Sequence, residues 1–158
     1  MVRSATVADL DKIGQIYDAA RAFMRKTGNP TQWSGGYPSR EVSVDDIRRG
    51  KLFVVESEGE PRGVFYFNIG VDPTYLKIDG AWRNDEPYGV IHRIASDGTR
   101  GGVFGEALEF CKEQIGHIRI DTHEDNSVMQ GVLCRHGFEY RGIIYLENGD
   151  PRRAYELI

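Results

Sequence analysis

The stretch Val90–Phe110, VIHRIASDGTRGGVFGEALEF, holds the residue types best suited to chemistry in this chain. An apolar strand carrying His92 breaks at Ser96-Asp97-Gly98, crosses a glycine-rich turn and becomes a helix. Backbone amides left unpaired at a helix start and fed by glycines make an anion site. The pyrophosphate of a nucleotide-bearing cofactor suits such a turn, although a glycine-rich connection that binds nothing would have the same composition. The two standard nucleotide motifs fail on residue identity. A dinucleotide fold wants Gly-x-Gly-x-x-Gly at the first strand–helix junction, whereas Arg100 and Phe104 stand where glycines belong and three strands come earlier. A P-loop wants Gly-x-x-x-x-Gly-Lys-Ser/Thr, which this turn lacks.

The elements that must position this segment follow from hydrophobic periodicity. Thr6, with Asp9 three residues on, reads as a weak capping box. Ile13, Ile16, Tyr17, Ala20 and Phe23/Met24 recur at helical spacing and predict a helix over about residues 7–26, ended by Gly28 and Pro30. Residues 28–42 read as a long loop, followed by a brief helix over 44–49. Strands at 51–57 and 63–70 form an antiparallel hairpin around 58–61. Residues 71–87 read as a polar loop with a short strand at 75–78, followed by a strand over 88–95. The helix after the glycine turn runs to about Gln114 with Phe104, Ala107, Leu108, Cys111 and Ile115 as its apolar stripe. A strand ends near Thr122. Asn126 caps another helix, with Met129, Val132, Leu133 and His136 as its core face. Strands 138–146 and 153–158 close the chain around Asn148-Gly149. With a short first strand at Val2-Arg3-Ser4, the order β-α-α-β-β-β-α-β-α-β-β predicts an α+β, or mixed α/β, sheet with antiparallel early strands.

With 158 residues, 40% hydrophobic and 28% charged, the expectation is one domain over 1–158. No apolar run reaches the roughly 18 residues that span a bilayer, and the N-terminus lacks an apolar signal region. Cytoplasmic location with no membrane partner is therefore expected. A net charge of −4 argues against nucleic acid as a partner. Cys111 and Cys134 lie in apolar helical patterns and read as core cysteines.

Six segments carry a resemblance that covers essentially the whole chain: Ile91–Ser96 (IHRIAS), Phe110-Cys111, Ile118–His123 (IRIDTH), Asp125–Gln130 (DNSVMQ), the glycine turn and Gly142–Tyr155. Together they resemble the GNAT N-acetyltransferases, most of all the bacterial members with IHRIAS and IRIDTH segments. The resemblance implies the GNAT acyl-CoA N-acyltransferase fold, a central, mostly antiparallel sheet whose fourth and fifth strands, 88–95 and 117–122, splay apart. It also implies acetyl-CoA as cofactor, with pantetheine in the gap along Ile94, Ala95 and Ser96. The pyrophosphate would lie on the amides of Thr99, Arg100, Gly101, Gly102, Val103 and Phe104. In the family pattern Gln/Arg-x-x-Gly-x-Gly/Ala, Thr99 falls at the first position, Gly102 at the glycine and Phe104 at the last, so two of three positions depart from it. The register shifted to Arg100 puts Val103 at the glycine and fits less well. Asn126 matches the asparagine that family members place near the pantetheine, and capping is a compatible second task.

Acetyl transfer to an amine needs a neutral nucleophile, a polarised thioester carbonyl and a proton for the departing thiolate. The family implies a backbone amide within Arg93–Ala95 as the polarising donor. Its usual acid is a tyrosine at the position of Leu133, so Tyr140 is the substitute candidate, with water as the alternative. His92 is the candidate base, since an imidazole titrates at roughly 6.5; a half-buried, hydrogen-bonded strand histidine is the plain alternative. His123 and Glu124 could relay protons, and Asp121 reads as an orienting group. Trp33 and Gln32, from the loop that borders the acceptor site in this family, and Trp82 in the acidic loop before the cofactor strand are candidate substrate contacts. Acidic and aromatic side chains together suit a cationic amine of a small molecule or peptide. No metal is assigned. Family members often dimerise, and the closing hairpin offers an edge for a homodimer. A non-catalytic acyl-CoA sensor and an unrelated nucleotide-binding domain are the competing functions.

Overall fold

The computed structural model describes residues Met1–Ile158. The chain folds as β1 (Val2–Ser4), a 3-10 turn (Val7–Asp9), α1 (Leu10–Lys26), α2 (Arg40–Arg48), β2 (Leu52–Ser57) and β3 (Glu60–Ile69). After a second 3-10 turn (Pro73–Tyr75) come β4 (Asp79–Gly80), β5 (Gly89–Ser96), α3 (Val103–Lys112), β6 (Ile118–Thr122), α4 (Ser127–Arg135), β7 (Glu139–Tyr145) and β8 (Pro151–Leu157). The strands form one sheet in the order β1-β2-β3-β5-β6-β8-β7-β4. Every neighbouring pair is antiparallel except β5 and β6, which run parallel. No helix is long and apolar enough to cross a membrane.

Strand alternation divides the core between the two sheet faces. On one face, Ile13, Ile16, Tyr17 and Ala20 of α1 bury against Leu52, Val54, Val64 and Ala95, and Tyr75, Tyr88, Val90, Ile144 and Ala154 continue that layer. On the other, Val103, Ala107, Leu108 and Cys111 of α3 and Leu133 of α4 bury against Phe65, Phe67, Ile91, Ile118, Ile120 and Tyr155. Burying each Val, Leu, Ile or Phe side chain among them stabilises the fold by about 1.5–3 kcal/mol relative to exposure.

Four local readings of the sequence are corrected. Helix α2 starts at Arg40 rather than 44, because Ser39 caps it by accepting from the Val42 amide (3.3 Å). Residues 75–78 form no strand: Asp72 caps a 3-10 turn that begins with Pro73, and a two-residue strand follows at Asp79–Gly80 on the sheet edge against β7. This extra strand makes the splayed pair β5 and β6. Cys134 is exposed whereas Cys111 is buried, and His136 on α4 is likewise exposed, so the inner face of α4 is narrower than its spacing suggests.

Candidate active site

The two parallel strands at the sheet centre pair only at their start, Gly89 with Ile118 and Val90 with Arg119. A buried charge cluster closes that end. Glu156 accepts from Arg119 (3.2 Å), Arg141 (2.9 Å) and the Arg83 amide (2.8 Å), and sits 2.6 Å from His117 Nε2. These donors hold the Glu156 carboxyl below its ordinary value although burial pushes the other way. Beyond Val90 the strands part. β5 keeps its pairing with β3 as far as Ser96, so its other edge opens onto a cleft of about 1130 Å³ that runs through the sheet to the α1/α2 side.

His92, Asp72 and Asp121 line this cleft. Asp72 Oδ2 lies 2.7 Å from His92 Nε2, while Asp72 Oδ1 takes the Thr74 hydroxyl (2.6 Å) and amide (3.0 Å). Burial opposes the Asp72 charge, yet the bonds from His92 and Thr74 prevail and hold its carboxyl at about 2. An ionised Asp72 only accepts, so Nε2 carries the proton and Nδ1 is left with its lone pair in the neutral ring. Nδ1 faces Asp121 Oδ2 at 3.9 Å. That oxygen accepts from Tyr75 (2.6 Å), whose hydroxyl burial keeps protonated far above its ordinary range. A lone pair and a carboxylate thus look at one point in the cleft.

Asp72 also gives an acid-side prediction. Its carboxyl is depressed from an ordinary 3.8, so its stabilisation is complete above that pH and is lost as pH falls toward 2. The melting-temperature gap between wild type and Asp72→Asn, measured from pH 7 downward, is expected to hold to about pH 4 and then close. A gap that is independent of pH would break the link.

The cofactor strand carries a bulge beside His92. Val64 pairs with Ala95 and Tyr66 with His92, so Arg93 and Ile94 face Phe65 alone. Arg93 absorbs the extra residue in a left-handed conformation, φ 51°, which costs a non-glycine residue about 1 kcal/mol. Tertiary contacts hold it there. Its guanidinium grips Asp46 of α2 (3.0 and 2.9 Å), reaches Tyr37 Oη (3.3 Å) and lies over the Tyr66 ring. Its carbonyl accepts from Tyr17 Oη of α1 (3.1 Å). Burial lifts the Asp46 carboxyl above its ordinary value even with Arg93 alongside. The extra residue of a bulge interrupts the ladder hydrogen bonds, and here the Arg93 carbonyl takes Tyr17 in place of a strand partner.

The glycine turn stands at the start of α3. Gly102 precedes the helix at φ 80°, and the first helical bond is accepted by its own carbonyl from Glu106 (3.0 Å). The amides of the first turn therefore have no helical partner. Gly63 of β3 lies beneath: a Cβ there would sit 2.4 Å from Val103 Cγ1 and 3.2 Å from the Ala95 carbonyl. Gly63→Ala is expected to push α3 off the sheet, costing about 1–3 kcal/mol as overpacking does and weakening binding at the turn. Calorimetry with and without acetyl-CoA checks it; an unchanged ligand-induced shift would show the turn does not depend on this contact.

No protein-family model and no curated protein matches the sequence. Solved structures do. An acetyltransferase of the GNAT family from Streptococcus agalactiae is 32% identical, with a TM-score of 0.86 over 100% of this chain and 94% of that one. The chain belongs to the GNAT acetyltransferases. A GNAT-family acetyltransferase from Listeria monocytogenes (24% identity, TM-score 0.67, 99% of this chain and 94% of that one) and a ribosomal-protein-alanine N-acetyltransferase from Brucella melitensis (18%, 0.63, 100% and 99%) share the fold.

Against the GNAT pattern, the residues foreseen from sequence fall into three groups. His92, Ile94, Asn126, Gln32 and Trp33 line the cleft. Asn126 Oδ1 caps α4 through Met129, and its amide reaches Gln32 Oε1 (2.9 Å), which also takes Asn29 (2.8 Å). The loop between α1 and α2 is thereby tied to the start of α4. His123 adds a second tie at Thr31 Oγ1 (3.4 Å). Trp33 packs edge-on to Tyr17. At the turn, the Thr99 hydroxyl and amide both go to Asp97 (2.6 and 2.9 Å), and Arg100 folds onto Glu106. Phe104 directs its ring at His136 and Phe138.

Two residues lie elsewhere. Trp82 donates to the Tyr75 carbonyl (2.8 Å) and covers the Arg119 guanidinium, outside the cleft. Tyr140 pairs with Tyr155, 48% exposed and off the cleft lining. Leu133, at the position of the family tyrosine, is fully buried in the core. Sequence reasoning missed Asp72, Tyr75, Asp46 and the role of Arg93.

Proposed function

We propose that this GNAT protein transfers the acetyl group of acetyl-CoA to a primary amine of a small molecule or peptide. The observation that carries this reading is that His92 Nδ1 lies 3.9 Å from the Asp121 carboxylate beside the splayed strands, an arrangement that suits an ammonium group. The site suits the cosubstrate: the gap between β5 and β6 is open, the first-turn amides of α3 are free, and the buried Thr122 Oγ1 and Asn29 Oδ1 have no partner. Acetyl-CoA supplies the activated thioester. Ile94, Ala95 and Ser96 offer backbone groups to the pantetheine, Gly101 to Phe104 offer amides to the pyrophosphate, and Asn126 closes the gap beside them.

On the acceptor side, Asp121 neutralises the ammonium and His92 Nδ1 takes its proton, with Asp72 steadying the imidazolium that results. Peptide N–H groups of the Arg93–Ile94 bulge donate to the carbonyl oxygen as charge gathers there. The departing thiolate takes its proton from solvent, since Leu133 has none to give. Thr99 and Arg100 stabilise the turn rather than bind phosphate through their side chains.

The experiment is a thermal-shift titration with acetyl-CoA, followed by thiol release across an amine panel. The reading predicts a melting temperature that rises with acetyl-CoA and amine-dependent thiol release. Stabilisation without turnover by any amine would favour a non-catalytic acyl-CoA-binding module, the reading that Leu133 supports. Absence of stabilisation would overturn both.

A further inference from the structure

Arg152 is a buried cation with no carboxylate. It sits near the start of β8 opposite Ile144, lines the cleft and is 6% exposed. Its one hydrogen bond runs from Nη1 to the carbonyl of the preceding Pro151 (2.9 Å). The other fully buried arginine, Arg119, is held by Glu156 at 3.2 Å, and the half-buried Arg93 by Asp46 at 2.8 Å. Arg152 forms no salt bridge. A charge taken out of water without a partner is costly, so a cleft that keeps one in this position is built to receive an anion.

The sheet fixes which guest brings it. Tyr155 faces the α3/α4 core, so Ala154 and Arg152 face the opposite side by alternation. Asp121 pairs with Ala154, which makes Asp121 and Arg152 diagonal neighbours on one face, about 7–8 Å apart. His92, paired with Tyr66, shares that face. The glycine turn leads into α3 on the other. The anion met by Arg152 therefore belongs to the acceptor and not to the phosphates of the cosubstrate. Its chemistry is also constrained. A guanidinium fork matches a planar carboxylate bidentately, while Glu147 and Asp150 on the same lining disfavour a more highly charged anion.

We infer that the acceptor is a zwitterion, a free amino acid or a similar small amino carboxylate, with its amine at His92 and Asp121 and its carboxylate on Arg152. This rests on the acetyl-transfer reading and names the substrate class of that site. The test uses the whole protein with acetyl-CoA and free amino acids, each set against its methyl ester and its decarboxylated amine. Wild type is expected to favour the acid over the ester by about tenfold to a hundredfold in kcat/KM, the size of a charge-assisted bond. Arg152→Gln is expected to bring that ratio to about one, with the loss carried mainly by KM, and Arg152→Lys to restore part of it. Equal rates for acid and ester in wild type, or a ratio that survives Arg152→Gln, would overturn the inference. Should no amine turn over, the transfer reading fails by itself, and the carboxylate site is still read by thermal shift of the CoA-loaded protein. Amino acids that stabilise wild type but not Arg152→Gln support it; stabilisation of neither, or of both alike, sinks it. Acetyl-CoA shifts of equal size in all three proteins show that the variants are folded.

Discussion

His92→Ala is expected to lower kcat by roughly 10²- to 10⁴-fold, the usual worth of a positioned general base, with little change in acetyl-CoA binding. The reason is geometric. In the proposed reaction Nδ1 and the Asp121 carboxylate together receive the ammonium, and an alkyl ammonium near a pKa of ~10 gives almost no free amine at neutral pH without a base. His92→Gln keeps a polar group but cannot take the proton, so it should resemble alanine. Asp72→Asn keeps the shape while removing the acceptor that fixes the Nε2–H tautomer. It should lower kcat less than His92→Ala and displace the pH–rate profile, a readout that a merely structural Asp72 would leave in place. The rates measured at alkaline pH add a check: as the amine loses its proton in solution, the His92→Ala defect should shrink. A defect of constant size from pH 7 to pH 10 would remove His92 from the role of base.

Asp46→Ala is expected to be the most destabilising single change near the site, costing about 2–3 kcal/mol because it takes the carboxylate from the half-buried Arg93 guanidinium. The consequence extends to chemistry. Arg93 stays in the left-handed region through Asp46, Tyr37, Tyr66 and the Tyr17 hydroxyl, and that conformation presents the peptide groups of the bulge. In the proposed reaction, loosening it removes an oxyanion donor, a loss of about 10²–10³ in kcat. Arg93→Gly and Arg93→Ala separate the two effects. Both lose the guanidinium, but glycine adopts φ near +50° without penalty, so Arg93→Gly should be about 1 kcal/mol more stable than Arg93→Ala and retain more activity. Equal stability and activity in the two variants would mean that the backbone conformation of Arg93 has no bearing on the reaction.

Sequence periodicity revealed most of the fold because the helices and central strands alternate cleanly. The 3.6-residue spacing picks out the buried α1 residues Ile13, Ile16, Tyr17 and Ala20, but it runs on to Phe23, which the last turn of the helix leaves exposed. The site was legible only along the chain, not across it. His92 stood out by residue type, yet its partner Asp72 lies twenty residues away in a stretch that reads as a polar loop, where Asp-Pro-Thr signals a capped turn rather than a charge relay. Arg93 has no left-handed signature as glycine would, so the bulge was invisible until β3 and β5 were paired. Trp82 looked like a substrate contact from composition, but its partner is Arg119, a contact that only the closed end of the splay creates. Tyr140 drew notice for its closeness to Leu133 along the chain, whereas the sheet sets it off the cleft lining. The pairing of β7 with β8 shifts between Tyr140 and Gly142, and a shift of one residue exchanges the faces of a strand.

The most direct test of the account is transfer of an isotope-labelled acetyl group, followed by mass spectrometry of the small-molecule fraction. With labelled acetyl-CoA and an amino acid acceptor, the account predicts label on the amine, free CoA released in equal amount, and a yield per minute that His92→Ala reduces to a trace. Label that stays on CoA with every amine offered, or that reaches the amine as fast with His92→Ala as with wild type, would contradict it.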